Sequence, residues 1–442
     1  KIMIHFNNDF KLKLPETLSN SLSINFNISF YLMVFMLINL NLSAQTPTIQ
    51  WEKNYGGSQD DRVQSFKQTD DGGYILVGNS ESNDGDVSGN NGSSDYWVVK
   101  IDPTGTIEWE ENYGGSDFDE AYDIQQTDDG GYILAGNSSS DDGNVSGNNG
   151  NLDYWLVKLD SSGTIQWEKN YGGSEDDIVK SIKQTYDGGY ILFGDSKSND
   201  GDVSENNGNE DYWVVKVDST GNIQWESNYG GSDFDIASSV QQTDDGGYIL
   251  AGGSNSGNFN FKYWIVKLDN SGAIQWENKY GGHANDFPFS IQLTDDDGYI
   301  VVGYTLSTSG AGDVPPSTVW NSRFWVVKLD TVGTIQWTDT YGGIHGEKAY
   351  SVQQTDDGGY IVAGESASNY SDATGMLSVD YYLVRIDASG NFQWSENFGG
   401  GFYDKALSVL QTDDGGFMVA GYTNSAAGDV SVNNGGYDYW VV

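Results

Sequence analysis

Short apolar blocks separated by Asp- and Gly-rich turns run the length of this chain, and the same blocks recur. In one copy, residues 118–126 (FDEAYDIQQ) lead as a strand into Thr127-Asp-Asp-Gly-Gly131, an Asp-Gly hairpin turn. Residues 132–136 (YILAG) follow, apolar without alternation, as expected of a strand buried on both faces. Residues 154–159 and 165–170 form two more strands, joined by Asp160-Ser-Ser-Gly163. Asp at the first turn position and Gly at the last suit a type I turn closed by a left-handed residue, which Gly adopts at little cost. Asp102-Pro103-Thr104-Gly105 is the strongest version, because proline presets the backbone angle the turn needs.

The Trp of this second hairpin recurs at 51, 109, 167, 225, 276, 337 and 394, with spacings of 58, 58, 58, 51, 61 and 57 residues. Four antiparallel strands per period of this size describe a propeller blade. We label them A to D. The first repeat element is a lone D strand, 49–54, and the last is a lone C strand, 439–442. The pattern therefore predicts an all-β, seven-bladed β-propeller over residues 45–442, closed by the N-terminal strand pairing with the C-terminal blade, which removes the open edge. The other C strands continue into Lys-Leu-Asp, as in Lys158-Leu159-Asp160, whereas the last stops at Val442, so the pattern leaves room for an eighth blade or a tail.

The remaining N-terminal segment, 1–44, reads as an export signal: Lys11 and Lys13, an apolar run over 30–38 (FYLMVFMLI) and small residues at Ser43-Ala44. The competing expectation is a buried N-terminal helix. Secretion and a cell-surface location follow from the first reading. With no cysteine, the chain has no disulfide, thiolate metal site or catalytic thiol, and its stability rests on packing, closure or bound ions. A formal charge of −43 repels phosphates and anionic membranes and attracts cations, which excludes nucleic-acid binding.

Tyr113-Gly-Gly-Ser116 with Asp119, followed by Asp129-Gly-Gly-Tyr132 and Gly136, resembles the secreted bacterial β-propeller repeat family with YGGSxxD and GxxYxxGxT elements, over residues 49–442. The resemblance implies a fold and a place at the cell surface, often with a C-terminal sorting domain, and no particular activity. The C–D hairpin is also similar to that of quinoprotein propellers, which implies packing alone.

All length variation falls in the B–C loops: Gly194 to Tyr212 spans 18 positions, Gly252 to Tyr263 spans 11 and Gly303 to Phe324 spans 21. Loops on a rigid scaffold carry binding residues, so the face bearing the B–C loops and D–A crossings is the candidate site. Catalytic groups do not assemble in the pattern. His283 and His345 follow the Gly-Gly of different blades, His5 lies in the leader, and Arg62, Arg323 and Arg385 occupy unrelated repeat positions. Trp97, Trp155, Trp213 and Trp264 sit at strand positions and are expected between blades. The expected function is a secreted or cell-surface, non-catalytic and monomeric propeller that binds an extracellular glycan or protein ligand. The alternatives are a carbohydrate-active enzyme with a carboxylate pair on the loop face and a structural module of a larger surface protein.

The B–C loops also suggest calcium. Asp84, Asp86, Ser88 and Asp95 stand at loop positions 1, 3, 5 and 12, the oxygen spacing of an EF-hand. Asp142, Asn144, Ser146 and Asp153 repeat it, as do Asp200, Asp202, Ser204 and Asp211. Asp replaces the usual Glu at position 12 and no helices flank the loop, so the competing expectation is a loop whose side chains bond their own backbone.

Overall fold

The computed structural model describes residues 47–442 apart from 256, 258, 309–311 and 368–377. The expected export signal over 1–44, with His5, lies outside the described residues. Each blade is one four-stranded antiparallel sheet in the order A-B-C-D, and seven such sheets follow one another along the chain. Blade 1 comprises Asp61–Gln68, Tyr74–Ser80, Asp95–Ile101 and Ile107–Tyr113, and blade 2 runs from Asp119–Gln126 to Ile165–Tyr171. Blade 7 is built from Asp404–Gln411, Phe417–Thr423 and Asp438–Val441, and its D strand is Lys53–Tyr55 from the start of the ring. Lys53, Asn54 and Tyr55 pair with Val441, Trp440 and Tyr439, so the ring closes as the repeat pattern requires. The closing strand starts later than expected. Trp51 packs on the core beside it but has no rung, because strand C ends at Val441 and Val442 bonds back to Val419.

The core lies between the blades. Strand B is buried on both faces because alternate residues serve different junctions: Tyr74 and Leu76 pack towards blade 7, Ile75 and Val77 towards blade 2. Trp97, Trp155 and Trp213 are fully buried there and Trp264 nearly so. Tyr96 packs against Trp155 of the next blade, tilted at 50° with ring centroids 4.5 Å apart, and donates its hydroxyl to the Trp155 carbonyl at 3.0 Å. Gly163 stands at φ 86° and its amide closes the turn onto the Asp160 carbonyl, as expected. Its own carbonyl accepts the Tyr113 hydroxyl of the preceding blade, so the turn also clasps the junction. The A–B turns likewise end in a left-handed glycine such as Gly130 at φ 78°, and in blade 5 Asp297 takes that conformation instead, at φ 63°.

Every A strand carries a register shift before its fifth residue, as between Ala121 and Asp123. A bulge gives two residues where the partner strand has one and re-aims the extra side chain. Here it turns two consecutive side chains of each A strand towards the centre of the ring.

Candidate functional site

The A strands line a central channel of about 510 Å³. Its two ends differ. Near the A–B turns, the wall is repetitive. The last A residue is Gln68, Gln126, Gln184, Gln242, Gln354 or Gln411 in six blades, with Leu293 in blade 5. All of these glutamines but Gln68 accept an amide proton from the turn of the preceding blade, as Gln126 does from Asp70 at 2.9 Å and Gln411 from Asp356 at 2.9 Å. The Lys of strand C is spent at the same end. Lys158 donates to Asp129, Lys328 to Asp296, and Arg385 takes the same place opposite Asp357. Constancy here has a structural cause.

The opposite end opens among the D–A crossings and B–C loops, and there the blades differ in chemistry. The second A residue reads Arg62, Glu120, Ile178, Ile236, Phe287, Lys348 and Lys405 around the ring. The fourth reads Gln64, Tyr122, Lys180, Ser238, Phe289, Tyr350 and Leu407. Facing the second residue on strand B stand Asn79, Asn137, Asp195, Gly253, Tyr304, Glu365 and Tyr422. In blades 5 to 7 these positions form one aromatic arc. Phe289 lies 4.7 Å from Tyr350 and 5.3 Å from Phe287, and Tyr422 packs on Tyr437 at 5.2 Å. Three cations lie over its rings: Lys405 over Tyr350 at 4.1 Å, Arg62 over Tyr437 at 4.5 Å and Lys348 over Tyr304 at 5.8 Å. Burial lowers the pKa of Lys405, while Tyr403 donates to Glu365 at 2.6 Å. Outside the arc, in the same sector, Trp320, Ile344 and Phe402 are exposed at 80%, 67% and 63%.

Across the channel, Asp123 stands where six blades have Ser. It accepts from Ser65 at 2.9 Å and lies 3.5 Å from Lys183. Burial raises its pKa, but Lys183 and Lys67 outweigh that and leave it lowered.

The loop residues singled out for calcium are tied to neighbouring backbone. Asp84 accepts the Ser58 amide at 2.7 Å, Asp142 that of Ser116 and Asp200 that of Ser174, each at 2.7 Å. Asp86, Asn144 and Asp202 accept the amides of Gly56, Gly114 and Gly172. The Ser88 amide donates to Glu110 of strand D at 3.4 Å, the Ser146 hydroxyl donates to Glu168, and Ser204 is exposed. Asp95, Asp153 and Asp211 accept the amides of Asn91, Asn149 and Asn207 at 2.6, 2.6 and 2.7 Å. Each loop thus stitches itself to the crossing from the previous blade. Among the described residues, no three acidic or histidine side chains close on one point.

The catalytic alternative needs a carboxylate pair open to substrate. Close pairs do occur, Asp95 with Asp119 and Asp153 with Asp177, but all four residues are fully buried between blades. Burial first, then the neighbouring carboxylates, pushes Asp95 up to about 6 and Asp153 to about 7. No glycosidic bond can reach them. The three arginines are equally scattered: Arg62 is at the mouth, Arg323 is buried at a junction and Arg385 is in the turn end.

The sheet order and the channel define the chain as a seven-bladed β-propeller. No protein-family model and no curated protein matches it. Among solved structures it is similar to the WD40 domain of Neurospora crassa Pan2, at 11% identity and a TM-score of 0.48, covering 86% of this chain and 88% of that one. It is also similar to Sqt1 from Chaetomium thermophilum, at 12% identity and 0.42, covering 84% and 83%.

Proposed function

We propose that this propeller is a non-catalytic binding protein that takes an extracellular glycan or protein ligand over the loop-face mouth of its channel, in the sector of blades 5 to 7. One observation carries the reading: in a ring whose turn end is nearly invariant from blade to blade, the second and fourth A residues and their strand-B partners differ in size, charge and polarity. A purely structural ring has no use for that divergence. Half-buried rings such as Tyr304 and Tyr422, edged by Lys348, Lys405 and Glu365, offer flat apolar faces beside donors and acceptors, which suits a sugar ring or an extended peptide. The secreted or cell-surface location belongs to the same reading and rests on the basic, apolar and small-residue order of 1–44. Purified protein would be applied to glycan and peptide arrays, and retained ligands recovered and weighed. Binding with the ligand recovered intact is expected. Cleaved ligand would overturn the non-catalytic reading, and no retention on either array would overturn the binding one.

A further inference from the structure

Where the first residue of a C strand meets the first residue of the next blade's A strand, two buried acids face each other. At the closing junction these are Asp438 and Asp61, both fully buried. Asp61 is well supplied: Gly57 and Ser82 donate to Oδ2 at 2.7 and 2.9 Å, and Ser80 donates to Oδ1. Asp438 is not. Its Oδ2 accepts the Asn434 amide at 2.6 Å, while Oδ1 has no partner. A Cβ placed on Gly56 would lie 2.6 Å from that Oδ1 and 2.7 Å from Asp61 Oδ2, so both carboxylates flank one small gap that the glycine leaves open. Asp86, on the B–C loop of blade 1, accepts the Gly56 amide at 3.2 Å and adds its charge near Asp438 without joining the two acids at the gap.

The arrangement recurs. Asp95 with Asp119 flanks Gly114, Asp153 with Asp177 flanks Gly172, and Asp380 with Asp404 flanks Gly399. Asp211 abuts Gly230 and interacts with Asp235. In Asp95, Asp153 and Asp211, Oδ1 is again buried without a partner. A buried carboxylate oxygen without a partner beside a second carboxylate is costly, and its presence at four junctions, those of Asp438, Asp95, Asp153 and Asp211, calls for a compensating charge.

The two remaining junctions carry that charge covalently. Lys262 replaces the C-strand Asp between blades 4 and 5, and its Nζ lies 3.2 Å from Asp286 Oδ2, donating also to the carbonyls of Ala284 at 2.5 Å and Phe261 at 3.2 Å. Arg323 replaces it between blades 5 and 6, buried, donating to the Ser307 carbonyl at 2.5 Å and the Thr340 hydroxyl at 3.1 Å, and feels the charge of Asp286 first and of Glu347 second. An acid is exchanged for a cation at two junctions, and the Lys262 ammonium is surrounded by a carboxylate and backbone carbonyls alone. That donor set suits a hard cation.

We propose that each of the five Asp–Asp junctions binds a divalent cation of the calcium class, and that Lys262 and Arg323 are built-in substitutes for it at the other two. The ligands come from two blades: the C-strand Asp, the next A-strand Asp, and carbonyls equivalent to those that hold Lys262. This differs from a loop-enclosed site. Asp86 faces the junction of Asp438, whereas Asp95 of the same loop serves the junction of Asp119.

The test is a count. Chelated protein would be titrated with calcium and read by native mass spectrometry and thermal melting. Up to five ions per chain, with a midpoint that rises on binding, are expected. Asp95→Lys, which copies the Lys262 junction, should lower the maximum count by one. Lys262→Asp should raise it by one, so the test survives if the first variant does not fold. No bound calcium at millimolar concentration, or a count that neither substitution changes, would overturn the proposal.

Discussion

Gly163 closes the C–D turn of blade 2 at φ 86°, with Trp109 of the preceding blade packed 3.0 Å from where a Cβ would stand. Gly163→Val should therefore suffer twice, from a left-handed β-branched residue and from a displaced junction. A loss of about 2–4 kcal/mol is expected in denaturant unfolding. Ser162→Ala removes an exposed hydroxyl bonded to Asp160 and should cost well under about 1 kcal/mol. Equal losses would mean that the turn is not under this constraint. The A–B turn acids have a different signature. The Thr69 hydroxyl, above all, holds Asp71 down at about 2, aided by the Gly73 amide and Lys100. For Asp129 and Asp245, burial pushes upward but is outweighed by the matching Thr, Gly and Lys, again leaving about 2. A depressed folded pKa gives stability that is present above the unfolded value of about 4 and is lost as pH falls through about 2. Changing all three to Asn should lower the melting midpoint at neutral pH, and the gap to wild type should close between about pH 4 and pH 2. A gap independent of pH would contradict the assignment.

At the scale of elements, closure rests on the short strand Lys53–Tyr55. Tyr55 is buried, pairs with Tyr439 and donates its hydroxyl to the Gly105 carbonyl at 2.6 Å, while Glu52 accepts the Trp440 indole at 3.0 Å. Tyr55→Ala should cost about 3–5 kcal/mol, in the range of other buried aromatic truncations. Deleting residues 45–57 should cost at least as much and expose a strand edge, seen as a lower midpoint and concentration-dependent aggregation. An unchanged midpoint would refute closure. The strands themselves were legible because each is written in a local code: a glycine that must be left-handed, a Trp at fixed spacing, an apolar run where both faces are covered. The bulge was not legible. Residues 119–126 do not announce that Tyr122 is the extra residue, since bulging follows from fitting strand A against the channel. Nor were the junction acids. Asp95 and Asp119 lie in different blades, and their pairing exists only once the blades are docked. In sequence, Asp86 and Asp95 look like parts of one loop site, whereas the ring sends them to different junctions.

At the scale of the whole molecule, the ring has one end made by repetition and one end where repetition fails. Loop length points to the face on which Trp320, Ile344 and Phe402 stand exposed. The residues at its centre were missed, although a signal existed. Aligning the seven A strands shows the second and fourth columns diverging while the last stays Gln in six of seven. The central claim is that this divergence builds a binding site, and blade 4 supplies the control. It carries Ile236, Ser238 and Gly253 where blade 5 has Phe287, Phe289 and Tyr304. A triple variant, Phe287→Ile with Phe289→Ser and Tyr304→Gly, gives blade 5 a mouth that the same scaffold already tolerates. The deciding measurement is its affinity for the glycan or peptide that the wild-type protein retains, alongside its melting midpoint. At least about a tenfold loss of affinity, about 1.4 kcal/mol, in a ring that still melts cooperatively is the predicted result. Undiminished affinity in that folded variant would place the ligand elsewhere and contradict the account.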